Sequence, residues 1–153
     1  MVHIITDTTA SLPEAMVQQL GIPIIPQVIN FGTESFLEGL DLDKATFMRR
    51  LRSERALPKT AAPPPELFVH EFARLAPTGE PIVCIHPSSE VSGTVRSALT
   101  AAQEFPGADI RVLDTRVVAA PLATLVQAAV RMAAAGATAD AIETYVPVSY
   151  THL

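Results

Sequence analysis

Residues 86–99 read HPSSEVSGTVRSAL, in which small hydroxyl side chains follow an apolar run directly and lead into a helical pattern. A helix N-terminus presents unpaired N–H groups and the positive end of the macrodipole, and Ser92, Gly93 and Thr94 can add donors there without bulk. A carboxylate or phosphate oxygen suits such a place. So does a plainer arrangement, in which one serine caps the helix and the others solvate a loop.

Other chemistry has less support. There is no G-x-S-x-G elbow to expose a nucleophilic serine, and His3, His70 and His86 lie far apart along the chain. The stretch lacks the G-x-x-x-x-G-K-[ST] spacing and the lysine of a Walker-type loop. Asp7 has threonines beside it rather than further metal ligands, so it is expected to cap or turn the chain by bonding nearby N–H groups. The histidines show no H-x-x-x-H spacing, and each is expected at the surface or in a satisfied junction. Cys84, inside an apolar run, reads as a buried hydrophobe. No catalytic residue, metal or cofactor is expected.

The elements that position these residues follow from apolar periodicity. Runs of strand length recur at Val2–Thr6, Ile22–Ile25, Pro81–Ile85 and Ile110–Leu113, with helical patterns between and after them. This alternation predicts α/β architecture, a mainly parallel sheet with helices on both faces. Ser11 and Glu14 can form a capping box for a helix over Leu12–Leu20, with Gly21 as its stop. Pro23 and Pro26 flank a short strand that leads through QVINFG into an irregular segment. Asp41 or Asp43 caps a helix over Lys44–Ser53 with Phe47, Met48 and Leu51 inward. Lys59–Pro63 is expected as an extended loop feeding a helix over Pro64–Ala76. Val91, Val95, Ala98, Leu99 and Ala102 mark the apolar face of the helix after the hydroxyl cluster. An alanine-rich helix over Ala119–Ala135 and a last one from near Asp140 complete the set. Residues 1–146 are expected to form the domain. Residues 147–153, PVSYTHL, lack periodicity and read as a tail foreign to the fold, the scar of a truncation.

Composition narrows the classes. A chain of 153 residues fits one domain of ordinary size. With 48% hydrophobic and 18% charged residues and a net charge of −5, it offers no broad basic surface for nucleic acid. Arg49, Arg50, Arg52 and Arg55 share one short helical stretch with acidic neighbours. The single cysteine allows no intrachain disulfide, and MVHIITD has no signal-peptide pattern, so cytoplasm is the expected location. The longest apolar stretch, Val117–Val130, is interrupted by Pro121 and Gln127 and falls short of the ~20 residues of a membrane span.

Four segments together resemble the N-terminal portion of the DegV family of bacterial fatty-acid-binding proteins. They are ITDTTASLP (5–13), KTAAPPPELF (59–68), HPSSEVSGTVRSAL (86–99) and VLDTR (112–116). The resemblance implies a carrier without catalysis of its own that holds a long-chain fatty acid, the carboxylate on hydroxyls and the tail in an apolar tunnel, for presentation to the catalytic subunit of a fatty acid kinase. Thr60 matches the threonine that begins the family's Thr-Ser-Gln-Pro-Ser loop, and Ser92 matches the serine of its Ser-Gly-Thr segment. Both contact the head group in that family. Gly93 and Thr94 match the rest of the segment and would supply backbone or hydroxyl donors. This chain departs from the pattern at Ala61-Ala62-Pro63-Pro64, where a serine and a glutamine are lost, and at Val117, Val118 and Pro121, where the family has small residues. The second α/β domain that caps the ligand with basic groups is absent from this length of chain. The alternative that the residues leave open is an enzyme acting on a small carboxylated or phosphorylated substrate at the same strand ends.

Overall fold

The computed structural model describes the backbone of residues 1–150 and the side chains of residues 1–146. The strands are β1 (His3–Asp7), β2 (Ile24–Ile25), β3 (Val28–Phe31), β4 (Glu34–Leu37), β5 (Lys59–Ala61), β6 (Ile82–His86) and β7 (Ile110–Asp114). The helices are α1 (Glu14–Leu20), α2 (Lys44–Ser53), α3 (Pro65–Leu75), α4 (Thr94–Ala102), α5 (Ala120–Ala134) and α6 (Ala139–Tyr150).

Successive strand residues point to opposite faces, and in the main sheet both faces are apolar. The order is β2-β1-β6-β7, all parallel. Ile4, Val83, Ile85 and Leu113 pack with Leu122, Leu125 and Val126 of α5 and with Ile142 and Val146 of α6. Ile5, Ile82 and Cys84 point the other way, onto Phe68 and Phe72 of α3 and Ala98 and Ala101 of α4. The expected parallel sheet with helices on both faces is therefore present. Cys84 is fully buried, and burial raises the pKa of its thiol far above the ordinary value.

The segment expected to be irregular after Pro26 instead begins a second sheet, antiparallel, in the order β4-β3-β5. Gly32, at φ 59°, and Thr33 form the two-residue turn that reverses β3 into β4. Ile29, Phe31 and Leu42 form a third apolar cluster, against which Phe36 of β4 and Phe47 of α2 pack. Lys59–Ala61, expected as loop, is the edge strand of this sheet, with Thr60 opposite Ile29. Asp43, rather than Asp41, caps α2 by accepting from the Thr46 N–H at 2.9 Å.

Three further details differ from the periodicity. Ser11 does not cap α1: its backbone is left-handed (φ 52°), where it ends a short 3-10 turn, whereas a capping residue needs extended backbone. Val91 and Leu99 are 72% and 50% exposed, because α4 starts only at Thr94 and buries Thr94, Val95, Ala98 and Ala101. Helix α6 runs through Tyr150 and so does not stop at the start of the stretch read as a tail, of which residues 151–153 lie outside the described residues.

Between β7 and α5 the chain makes a tight passage. Ala119 stands at φ 56°, ψ −128°, a region that glycine tolerates and a Cβ disfavours, and its N–H donates to the Thr9 carbonyl at 3.0 Å. An Ala119→Gly variant is expected to gain about 1 kcal/mol of stability, strain relief exceeding the added chain entropy. Urea denaturation measures this, and a loss of stability would refute strain at this position.

Candidate functional site

In the main sheet the chain proceeds from β1 outward to β2, then returns to place β6 on the other side of β1. The order thus reverses between β1 and β6, and ligands of open α/β sheets bind outside the carboxyl ends of strands at such a point. Both strands end here in buried polar residues, Asp7 and His86. The His86 Nδ1–H donates to Asp7 Oδ2 at 2.7 Å, and the ring stands edge-on to Phe68, with centroids 5.3 Å apart. His86 Nε2 has no hydrogen-bond partner among the described residues. Asp7 Oδ1 accepts from the Thr9 N–H (2.9 Å), the Thr9 hydroxyl (2.6 Å) and Gln27 Nε2 (3.1 Å).

Burial acts to raise the pKa of the Asp7 carboxyl, but the His86 hydrogen bond and charge and the Thr9 bonds outweigh it and hold it below the usual aspartate value. The expected role of Asp7 as a turn residue is thus present, in a larger network. His86, expected at the surface or in a satisfied junction, is the fully buried last residue of β6 and bonds to Asp7 through Nδ1.

Above this edge lies a groove of ≈ 340 Å³. Its floor and walls include Thr8, Thr9 and Ser11 after β1, Gln27 and Ile29 from the start of the small sheet, Thr60 of β5, and Pro87, Val91 and Ser92 after β6. Two candidates from distant parts of the sequence, Thr60 and Ser92, therefore line one groove. Gly93 and Thr94 are not part of its lining. Thr94 is fully buried and is linked to the groove through Ser92, the two hydroxyls lying 2.7 Å apart. A Cβ at Gly93 would come within 3.3 Å of the Ala62 Cβ, so glycine lets the start of α4 approach the end of β5. The residue before α4 is Gly93, which has no side chain to cap it, and the serine contact at the helix start is Ser92 Oγ, which accepts from the Thr94 N–H at 3.3 Å. Ser89 instead donates to Asp114 at the end of β7.

Among the described residues lining the groove, Glu38 alone is charged, and it accepts from the Thr8 hydroxyl at 2.5 Å. Of the residues flagged after β7, Val118 lines the groove, Val117 packs on the α5 side of the sheet and Pro121 sits in the first turn of α5. Among the described residues no group of three or more His, Cys, Asp or Glu is placed to hold a metal ion, and no helix is long and apolar enough to cross a membrane.

Two participants escaped sequence reasoning. Gln27 and Glu38 have no motif around them, although the amide inside the apolar stretch IPIIPQVI was a visible signal.

A parallel sheet covered on both faces, with a polar groove at its switch point, defines an α/β protein whose site lies at the carboxyl edge of the sheet. The chain belongs to the DegV family: the family model described as "Uncharacterised protein, DegV family" matches residues 1–150. It is 37% identical over 142 residues to a DegV domain-containing protein of Halalkalibacterium halodurans, which covers 92% of this chain and 50% of that protein. A solved DegV family protein of Thermus thermophilus, described by its fatty acid binding, has a TM-score of 0.87 at 26% identity, covering 98% of this chain and 53% of that one. DegV of Bacillus subtilis, described as a fatty acid binding protein, has a TM-score of 0.90 at 25% identity, covering 98% and 54%. The chain thus spans about half the length of the relatives it matches.

An Asp7→Asn variant is expected to lose about 2 kcal/mol at neutral pH, the scale of a buried bond to a charged group. Because the native carboxyl titrates below its unfolded value of about 3.9, this contribution is present above that pH and disappears as pH falls through the native value. Denaturation of both proteins between pH 7 and pH 2 should show the difference closing on the acid side. A difference that does not change with pH would contradict an ionised Asp7 in the native state.

Proposed function

We propose that this chain is the groove-bearing part of a carrier for a long-chain fatty acid. In this reading the carboxylate rests on the Ser92 and Thr60 hydroxyls, and the acyl tail follows the apolar wall of Ile29, Phe47, Val91 and Val118. The observation that carries the reading is that Thr60, from the small sheet, and Ser92, from the loop after β6 of the main sheet, line a single groove at the switch point. Burial of the tail contributes roughly 0.8 kcal/mol per methylene, and the hydroxyls fix the polar end. The fatty acid binding described for the Thermus and Bacillus proteins supports the same ligand class.

The groove offers a carboxylate no cation of its own among the described residues, and Glu38 opposes an anion. A charge-assisted hydrogen bond is about twice as strong as a neutral one, so tight binding needs a basic group from outside this chain. In the whole protein that group belongs to the remaining half. The proposed partner is the catalytic subunit of a fatty acid kinase, and the proposed location is the cytoplasm. A carrier also suits the hydroxyl chemistry better than a hydrolase does: Ser92 is engaged by Thr94, while His86 is committed to Asp7 beneath the groove.

The test is a calorimetric titration of palmitate into the protein and its Thr60→Ala, Ser92→Ala double variant. At least about a tenfold loss of affinity is expected, from two bonds to a charged oxygen. Equal affinities would remove the head-group assignment.

A further inference from the structure

Glu38 lines the groove and opposes the anion proposed for it, and the register of the small sheet shows why its charge reaches that space. The Glu38 N–H donates to the Gln27 carbonyl at 2.9 Å, which extends the β3–β4 ladder one row beyond Val28 and Leu37. Opposite residues of an antiparallel pair share a face, and so do alternate residues of one strand. Glu38, Gln27, Ile29 and Thr60 therefore stand on one face of the small sheet, and all four line the groove.

Two properties of this carboxylate bear on the head group. The first is its charge. Glu34 and Glu54 share the Arg50 guanidinium, whereas the Glu38 carboxylate bonds to a neutral hydroxyl, that of Thr8. Asp7, the other carboxylate near this edge, is buried and bonded to His86. Repulsion between Glu38 and a bound anion is proportional to the anion's charge, so a doubly charged head group is opposed twice as strongly as a singly charged one. The second property is its use of a donor. A carboxylate only accepts, so the Thr8 proton is spent on Glu38, as the Thr9 proton is on Asp7. Both hydroxyls are thereby withheld from the additional oxygen of a phosphate.

We infer that Glu38 is a charge filter, a specificity-determining residue that biases the groove toward a singly charged head group such as a carboxylate and against a phosphate. Hydroxyls at a helix start suit either anion, and Glu38 is the group that separates them. The inference rests on the carrier reading for its ligand. Under that reading, a head group phosphorylated by the proposed kinase partner is also the one that leaves more readily.

The experiment titrates palmitate and hexadecyl phosphate by calorimetry at about pH 8, where the two share one tail and carry about one and two negative charges. The proteins are the wild type, Glu38→Gln, Glu38→Ala and Glu38→Asp. Glutamine keeps an acceptor for Thr8 and removes the charge, and alanine removes both. In either neutral variant palmitate is expected to gain about fivefold and hexadecyl phosphate about twenty-fivefold, the square of the first, as repulsion doubles with charge. Glu38→Asp keeps the charge and should stay within about twofold of the wild-type preference. Salt at about 0.5 M should shrink the difference between the two gains, because the charge is partly exposed. Equal gains for the two ligands, or no gain, overturn the inference and leave the carrier reading standing. If no palmitate binds to the wild type or to either neutral variant, the carrier reading fails and the inference falls with it.

Discussion

The groove depends on the buried hydrogen bond from His86 to Asp7, which joins the ends of β1 and β6 beneath it. A buried carboxylate is tolerated only when it is paired and hydrogen-bonded, and Asp7 meets that condition through three residues from different parts of the chain. The same bonds fix the turn at Thr9, the side chain of Gln27 and the orientation of His86. Neighbouring hydroxyls extend the pattern along the sheet edge, Thr6 donating to the Ile85 carbonyl and Thr115 to the His86 carbonyl, each at 2.8 Å. The loops that form the groove thus leave a polar edge already locked at each strand end, with the apolar layers below supplying most of the burial.

This arrangement separates stability from binding. Thr8, Thr60 and Ser92 reach the groove, while Thr94, the partner of Ser92, is buried one layer deeper. Gln27 connects the two layers, since it bonds to Asp7 below and to Thr94, the partner of Ser92. The arrangement also leaves Glu38 as the one charged residue among the described residues that line the groove.

The parallel strands were legible because β1 and β6 are buried on both faces and read as apolar runs, and the edge strands β2 and β7 still carry short runs of Ile, Val and Leu. The small antiparallel sheet was not. Glu34–Leu37 carries two exposed residues, Lys59–Ala61 is exposed throughout, and the prolines around Ile24 obscured the alternation in VINF. The Gly32-Thr33 pair was the available turn signal. At the site, Ser92 and Thr60 were legible from local composition and family likeness. The pairing of His86 with Asp7 was not, because 79 residues separate them and only the adjacency of β1 and β6 brings them together. Gln27 was hidden for the same reason: its polarity makes sense only once Asp7 and Thr94 face it.

The central claim is that the groove at the β1–β6 switch point receives an acyl carboxylate on Ser92 and Thr60. A crystal structure of the protein with palmitate tests it most directly. The account predicts carboxylate oxygens within hydrogen-bond distance of both hydroxyls and the alkyl chain along Ile29, Phe47 and Val118. A head group held elsewhere, or an alkyl end against Ser92, would contradict it.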